Sequence, residues 1–334
     1  MDLPPPNGSG RSRRVLVSHT QIAESAIQLL NAHDIDVFFS PPYDPSDVVA
    51  ARAADLQIDA LMVRQGRIDD QVIGASPKLR VIVKHGVGVD NIDIAAATAR
   101  GIPVLRSLGS NSRAVAEHAI ALALMLLKEI QPLNAAVKAG GWPKPTFIGK
   151  DFQGATMGLI GYGGIGRETA RMAQGLGMEV VVHDPYAADA IQADSFAVAE
   201  IDAMLPALDI LSLHCPLTAA TRNLIDARRL ALMRPTAVIV DTARGGLIDE
   251  AALALALAEG RIAAAGLDSF AQEPPAADNP LWPLSTLTAT PHIGGVTTGS
   301  ARSMAEIAAR HIISVLDGNP PDTRSLALAS ELSA

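Results

Sequence analysis

Three ionisable residues in the second half of the chain, Arg244, Glu273 and His292, each follow a short apolar run that predicts a β-strand. In an open parallel sheet the ligand crevice lies beyond the carboxyl ends of the strands, so we expect these side chains to converge there. An imidazole titrates near neutral pH and can give a proton to a carbonyl oxygen that becomes a hydroxyl. His292 is therefore the candidate acid for hydride transfer to a carbonyl group.

Glu273 and Arg244 would complete this set. A carboxylate beside an imidazolium stabilises the charged form and selects its tautomer, which is the role expected of Glu273. A guanidinium donates two parallel hydrogen bonds to a carboxylate, so Arg244 would orient a 2-keto acid for reduction. The alternative for each residue taken singly is a surface or capping role.

A glycine-rich string, Gly161-Tyr-Gly163-Gly-Ile-Gly166, follows a predicted strand and opens a predicted helix. In a dinucleotide fold the middle glycine lets the backbone approach a pyrophosphate, and the last lets helix and strand pack closely. The helix N-terminus adds amide donors and partial positive charge. Asp184 ends the next predicted strand, where that fold places the carboxylate for the adenosine ribose. The sequence therefore predicts a dinucleotide site.

The choice of cofactor depends on Asp184 and its neighbours. A carboxylate there repels a 2′-phosphate, and Pro185 and Tyr186 supply no arginine to bind one, so NAD is favoured over NADP. The same kind of loop also binds S-adenosylmethionine or FAD, and the loop by itself does not identify the reaction.

The elements that must position these residues form two series of alternating strands and helices. Predicted strands cover residues 14–18, 36–39, 60–63, 79–83 and 103–105, then 155–160, 179–183, 209–213, 237–240, 263–267 and 286–289. This alternation predicts an α/β protein with two doubly wound parallel sheets. A long helix over about 112–130 is apolar on nearly all sides, which predicts burial under a sheet or against another subunit, and we favour the second of these.

Length and composition limit the classes of protein. The 334 residues are enough for two domains, and a net charge of −8 without charged blocks argues against nucleic-acid binding. The longest apolar run is shorter than the ~20 residues that span a bilayer, so no membrane span is expected. A single cysteine and the absence of a signal peptide or metal-ligand spacing predict a cytoplasmic protein without a metal site. Residues 1–12 are expected to be a disordered leader.

From about Val15 to Leu316 the chain resembles the D-isomer-specific 2-hydroxyacid dehydrogenases, the family that includes phosphoglycerate dehydrogenase. The matching motifs are VDNID at 89–93, VAEH at 115–118, the glycine loop with Asp184, HCPLT at 214–218, DTARGG at 241–246, LD at 267–268, EP at 273–274 and PHIGG at 291–295. The resemblance implies that Arg244 binds the substrate and that Glu273 and His292 form the acid-base pair.

The resemblance also implies a larger cofactor site and a domain arrangement. The implied cofactor-binding residues are Gly161, Gly163, Gly164, Ile165, Gly166, Asp184, His214, Cys215, Pro216, Thr242, Ala243, Arg244, Asp268, His292, Gly294 and Gly295. A Rossmann NAD-binding domain, residues 108–296, would be inserted into a flavodoxin-like substrate domain formed by 13–107 and 297–334. Members of the family are usually homodimers joined through their cofactor domains, and a homodimer is expected here.

For the substrate, the resemblance implies that the backbone amides of Val87 and Gly88 receive the carboxylate alongside Arg244. Arg64 and Lys84 occupy positions where phosphoglycerate enzymes carry basic residues, although an arginine is usual in place of Lys84; a second anionic group on the substrate stays open. The alternatives are phosphoglycerate dehydrogenase itself and an NADH-sensing, corepressor-like binding protein. Glu273 argues against the formate dehydrogenases, and no regulatory extension is expected after Ala334.

Overall fold

The computed structural model describes residues 12–328, so the predicted leader lies outside the described residues except for Ser12. The chain forms two compact units. Of the described residues, the first unit contains 12–111 and 298–328, and the second is Ser112–Thr297. The second unit is thus inserted in sequence into the first.

The first part of the chain alternates strands and helices. In chain order these are β1 (Arg13–Val17), α1 (Glu24–Asn31), β2 (Ile35–Phe39), α2 (Ser46–Leu56), β3 (Ala60–Val63), α3 (Asp70–Gly74), β4 (Val81–Lys84), α4 (Ile94–Ala99) and β5 (Val104–Arg106).

The inserted unit continues the same alternation. Its elements are α5 (Ser112–Leu127), α6 (Ile130–Lys138), β6 (Thr156–Ile160), α7 (Gly164–Gly175), β7 (Glu179–His183), α8 (Ala188–Ala193), β8 (Ala197–Val198), α9 (Ile201–Met204), β9 (Ile210–Leu213), α10 (Ala227–Leu230), β10 (Val238–Asp241), α11 (Glu250–Ala258), β11 (Ala264–Leu267) and β12 (Leu287–Ala289). The chain then returns to the first unit through α12 (Thr298–Leu316).

Both sheets are parallel throughout. The first unit has five strands in the order β2-β1-β3-β4-β5, and the second has seven in the order β12-β11-β10-β9-β6-β7-β8. These are the flavodoxin-like order and the Rossmann order extended by one strand. The predicted α/β class, with a Rossmann domain inserted into a flavodoxin-like one, is confirmed.

Each sheet is covered by helices on both faces, which is why its strands read as continuous apolar runs. In the first unit Leu16 joins one core, while Val15 and Val17 join the opposite core with residues of α12. The last helix packs on α1 and β4 of this unit. Strand β8 was not predicted; it has only two residues, both exposed, within the short apolar run 196–199.

The long apolar helix is shorter than predicted. It ends at Leu127 because Glu129 has φ of 51°, which breaks the helical path before α6 begins. Helix α5 packs on α7, β10 and β11, so burial within one chain accounts for its composition. Among residues 12–328 no single helix is long and apolar enough to cross a membrane, whereas α5 and α6 together, bent by 57°, satisfy that test.

Candidate functional site

The centre of the seven-stranded sheet is the point at which the strand order reverses. Strands β6 and β9 are neighbours there, although β7 and β8 lie between them in sequence. Ligands of open α/β sheets bind outside the carboxyl ends of the strands at such a point. The glycine loop follows β6 and the predicted residues His214, Cys215 and Pro216 follow β9, so both predicted segments border this crevice.

Three of the four glycines in the loop have clearly different surroundings. A Cβ atom on Gly161, whose φ is +101°, would lie 2.6 Å from the carbonyl carbon of His214. A Cβ on Gly166 would lie 2.2 Å from the backbone oxygen of Gly161, whereas a Cβ on Gly163 would meet nothing within 4 Å. The loop is therefore closely packed at its two ends and open at Gly163, as the approach of a pyrophosphate requires. Gly164 and Ile165 form the first turn of α7, whose amides face the same end.

The carboxylate of Asp184 is held at the end of β7 by two backbone amides. Its Oδ2 accepts a hydrogen bond from the N–H of Tyr162 at 2.7 Å, and its Oδ1 accepts one from Tyr186 at 2.9 Å. The acid is thereby tied directly to the glycine loop. This is the position from which a carboxylate binds ribose hydroxyls, and the residues present fit an NAD dinucleotide.

His292 and Glu273 form a hydrogen-bonded pair in the same unit. His292 Nδ1 lies 2.7 Å from Glu273 Oε2, and Glu273 Oε1 accepts a hydrogen bond from the backbone of Phe270 at 3.1 Å. Partial burial acts to raise the pKa of Glu273, but the bonds from His292 and Phe270 and the charge of Arg244 outweigh it and lower the pKa. The ionised carboxylate accepts a hydrogen bond from Nδ1–H, and this bond leaves Nε2 as the ring nitrogen not bonded to Glu273.

Arg244 lies in the turn that follows β10. Asp241 Oδ1 accepts hydrogen bonds from the backbone N–H groups of Ala243 at 2.7 Å and Arg244 at 3.2 Å, which shapes the turn. A Cβ on Gly245 would lie 1.9 Å from the carbonyl carbon of Phe270, so the turn packs directly on the segment leading to Glu273. The structure thus brings Arg244 to the neighbourhood of the histidine-glutamate pair, which is the expected convergence.

Asp241 is a buried carboxyl group that the sequence analysis did not single out. It is fully buried, and burial raises its pKa to about 7 against the opposing effect of its backbone hydrogen bonds and of the charges on Arg244 and His292. Its Oδ2 finds no hydrogen-bond partner among residues 12–328. Only burial, which depends on the folded chain, marks this residue as unusual.

The remaining predicted cofactor residues border the same crevice. Thr242 is buried and Ala243 half-buried beside Arg244. His214 Nε2 lies 3.0 Å from Ser212 Oγ, and burial lowers the pKa of His214 to about 4. Burial, with a contribution from the charge of Asp241, raises the pKa of the Cys215 thiol to about 12, so this cysteine stays protonated and is a poor nucleophile.

Asp268, Gly294 and Gly295 belong to the strand end and loop around His292. Asp268 follows β11 and is 1% exposed. Its carboxylate accepts hydrogen bonds from Thr290 Oγ1 and from the backbone N–H groups of Ile293 and Gly294. Burial acts to raise the pKa of Asp268, but the hydrogen bond from His118 and the bonds from Thr290, Ile293 and Gly294 outweigh it and lower the pKa. Both carboxylate oxygens of Asp268 already accept hydrogen bonds from the loop. Its predicted contact with the cofactor therefore stays a prediction.

The predicted substrate residues of the first unit follow β3 and β4. Arg64 comes directly after β3, while Val87 and Gly88 lie half-buried in the turn after β4. Lys84 Nζ donates to Arg64 O at 3.1 Å and to Asn91 Oδ1 at 2.7 Å, so this ammonium group already holds two loops together.

His85 was not singled out from the sequence. It is 4% exposed, and burial followed by the charge of Arg64 lowers its pKa to about 4. The pKa of His19 is lowered by the same two causes. Burial is the larger cause of both shifts, and the positive charge of Arg64 adds to it.

Comparison with known proteins identifies the family. The model described as D-isomer specific 2-hydroxyacid dehydrogenase, NAD binding domain, matches residues 120–294. D-3-phosphoglycerate dehydrogenase of Archaeoglobus fulgidus is 36% identical over 309 residues, which are 92% of this chain and 58% of that protein. (S)-sulfolactate dehydrogenase of Chromohalobacter salexigens is 41% identical over 258 residues, which are 76% of this chain and 84% of the relative.

Solved structures agree with this result. A glyoxylate reductase from Paecilomyes thermophila superposes with a TM-score of 0.82 at 29% identity, covering 96% of this chain and 99% of that one. The chain spans only about half the length of most of the phosphoglycerate dehydrogenases it matches, between 45% and 58%. The chain belongs to the D-isomer-specific 2-hydroxyacid dehydrogenase family, and NAD is its cofactor.

Proposed function

We propose that the protein is an NAD-dependent D-2-hydroxyacid dehydrogenase that interconverts a 2-keto acid and a 2-hydroxy acid. The observation that carries the proposal is the 2.7 Å contact between His292 Nδ1 and Glu273 Oε2 beside Arg244. This pair lies in the unit that also carries the glycine loop and Asp184. Family membership supports the same reaction class.

Each of the three residues has a distinct part in the reaction. The guanidinium of Arg244 binds the substrate carboxylate with parallel hydrogen bonds and so orients the adjacent carbonyl. Bound NADH supplies the hydride. His292 gives the proton on Nε2 to the carbonyl oxygen, and the Glu273 carboxylate stabilises the protonated ring and keeps Nε2 directed at the substrate. In the oxidative direction His292 accepts the proton from the hydroxyl group.

The test is NADH oxidation with a panel of 2-keto acids: glyoxylate, pyruvate, hydroxypyruvate and 3-phosphohydroxypyruvate. We expect turnover with at least one of them, and a His292→Gln variant that binds NADH but turns over at least about a hundredfold more slowly. Tight NADH binding without turnover of any substrate would contradict the proposal and favour the NADH-sensing alternative.

A substrate with a second anionic group is the second candidate. The named relatives act on phosphoglycerate and sulfolactate, whose distal groups are a phosphate and a sulfonate. The observation in favour is the positive charge of Arg64, which adds to burial in lowering the pKa values of His19 and His85. We expect a higher kcat/KM for 3-phosphohydroxypyruvate or 3-sulfopyruvate than for hydroxypyruvate.

An Arg64→Gln variant tests that preference. It should lose most of the advantage of the phosphorylated or sulfonated substrate and keep its kcat/KM for hydroxypyruvate within about threefold. An equal loss for all substrates would instead show that Arg64 serves the shared part of the molecule.

We further propose that the enzyme is a homodimer in the cytoplasm. The surface of α6 and the segment after it exposes four large apolar side chains, Ile130, Val137, Trp142 and Ile148, the last 91% exposed. Exposed apolar patches of this kind are typical of subunit interfaces. The one cysteine and the use of NAD suit a reducing compartment. Sedimentation should give twice the chain mass, and Ile148→Lys should shift the protein towards monomer.

A further inference from the structure

The loop that carries His292 is attached to Asp268 on both sides of the histidine. Before it, Thr290 Oγ1 donates to Asp268 Oδ1 at 2.5 Å. After it, the backbone N–H groups of Ile293 and Gly294 donate to Oδ1 and Oδ2 at 2.9 and 2.7 Å. His292 itself has φ of 54°, in the left-handed region that non-glycine residues rarely adopt. Bonds on either side of the histidine thus hold an unfavourable backbone conformation.

The hydrogen-bond chain extends to helix α5 through His118. The hydroxyl of Thr290 has one proton, which goes to the ionised carboxylate of Asp268. The contact of 3.0 Å between Thr290 Oγ1 and His118 Nε2 must therefore have the histidine as donor. His118 Nε2 is also 3.5 Å from Asp268 Oδ1. The proton of His118 is therefore on Nε2, and its hydrogen-bond partner is Thr290 Oγ1.

Close packing supports the same attachment. A Cβ on Gly294 would lie 2.9 Å from Asp268 Oδ2 and 3.2 Å from His118 Cδ2, so the loop contacts both side chains without space between them. The loop that follows β12 therefore rests on α5 and on the end of β11. A change in His118 or Thr290 must alter the support of Asp268, and through it the backbone at His292.

We propose that Thr290 and His118 are positioning residues. They act through Asp268 and the backbone of the 290–294 loop, and they keep the imidazole of His292 in the position from which it reaches the substrate. This inference rests on the proposed acid-base function of His292. It assigns to the Asp268 carboxylate a structural task towards His292, in addition to any contact with the cofactor. Neither Thr290 nor His118 touches the substrate in this scheme.

The decisive variant is Thr290→Val, which keeps the shape of the side chain and removes its hydroxyl. We expect kcat for the best keto acid to fall about tenfold or more, while KM and the Kd for NADH stay within about twofold. Thr290→Ser keeps the hydroxyl and should restore kcat to within about threefold. His118→Leu should lower kcat similarly, and the double variant should be no slower than Thr290→Val, since both act through one chain of bonds.

Thr288→Val is the matched control. Thr288 lies two residues earlier and is buried, whereas Thr290 is half-buried; Thr288 Oγ1 donates to Gln131 Oε1 at 2.6 Å and not to Asp268. Loss of this hydrogen bond in Thr288→Val should lower the melting temperature without lowering kcat. If Thr290→Val keeps the wild-type kcat, or loses no more than Thr288→Val, the inference is overturned.

A second measurement does not depend on turnover. In the protein without NADH, amide hydrogen exchange at Ile293 and Gly294 should become faster in Thr290→Val and stay unchanged in Thr288→Val. Unchanged exchange in Thr290→Val would overturn the inference even if the enzyme is active. Absence of wild-type turnover with every keto acid, together with faster exchange, would instead contradict the function of His292 and leave the attachment of the loop established.

Discussion

His292 and Glu273 are joined by a hydrogen bond of 2.7 Å between Nδ1 and Oε2, although nineteen residues of chain separate them. Both side chains remain partly open to solvent, with 46% and 38% of their surfaces exposed. A pair that is bonded on one side and accessible on the other can pass a proton from Nε2 to a bound molecule. This arrangement supports the acid-base role that we propose for the pair.

Arg244→Ala should lower kcat/KM for every 2-keto acid by at least about a hundredfold, because the substrate carboxylate loses both hydrogen bonds of the fork. The Kd for NADH, measured by fluorescence titration, should stay within about threefold. Arg244→Lys should recover only part of the loss, since an ammonium group cannot donate two parallel bonds. Unchanged catalysis in Arg244→Ala would show that Arg244 does not bind the substrate.

Glu273→Gln should shift the pH profile of keto-acid reduction. Reduction requires a protonated His292, so the rate falls as the pH rises. The ionised Glu273, whose own pKa is lowered by the bond from His292 despite its partial burial, stabilises that proton. Without the carboxylate the fall in kcat/KM should occur at lower pH. A profile that does not move would show that Glu273 is not part of the mechanism.

Two glycine variants separate folding from cofactor binding. In Gly166→Ala the new Cβ would be placed 2.2 Å from Gly161 O, so we expect a loss of about 3 kcal/mol or more in unfolding free energy. In Gly163→Ala the Cβ meets no protein atom within 4 Å, and thermal stability should be unchanged. Its Kd for NADH should nevertheless rise by about tenfold, because the Cβ occupies the approach of the pyrophosphate. Equal NADH affinity in Gly163→Ala would argue against this binding mode.

Asp241→Asn should change how stability depends on pH. Burial raises the pKa of Asp241 from 3.8 to about 7, so the unfolded chain releases this proton at lower pH than the folded protein does. The contribution of Asp241 to stability is therefore fully present below about pH 4 and is lost as the pH rises to about 7, by on the order of a few kcal/mol.

Asparagine keeps the acceptor for the backbone of Ala243 and Arg244 and has no charge to bury. Denaturation at pH 5 and pH 8 should show a smaller loss of stability with pH in Asp241→Asn than in the wild type. Parallel losses in the two proteins would mean that the carboxyl group does not titrate in this range.

Most of the fold could be predicted from local sequence. Strands buried on both faces appear as apolar runs such as Val238–Val240, and Gly161 and Gly166 stand where a Cβ atom would clash with the backbone. The strand order of an α/β unit then brings residues after β10, β11 and β12 to one edge of the sheet. Very short elements and element ends were missed or misplaced, as the two-residue strand β8 and the end of α5 at Leu127 show.

The sequence by itself determined the class of fold, the family and the residue types that carry the proposed chemistry, because each depends on patterns within short stretches of chain. Only the tertiary structure decided which atoms meet. The 2.7 Å bond of His292 to Glu273, the burial of Asp241 and the attachment of Thr290 and His118 to Asp268 join separate elements. Hydrogen bonding and desolvation act through distances in space, and no spacing along the chain encodes them.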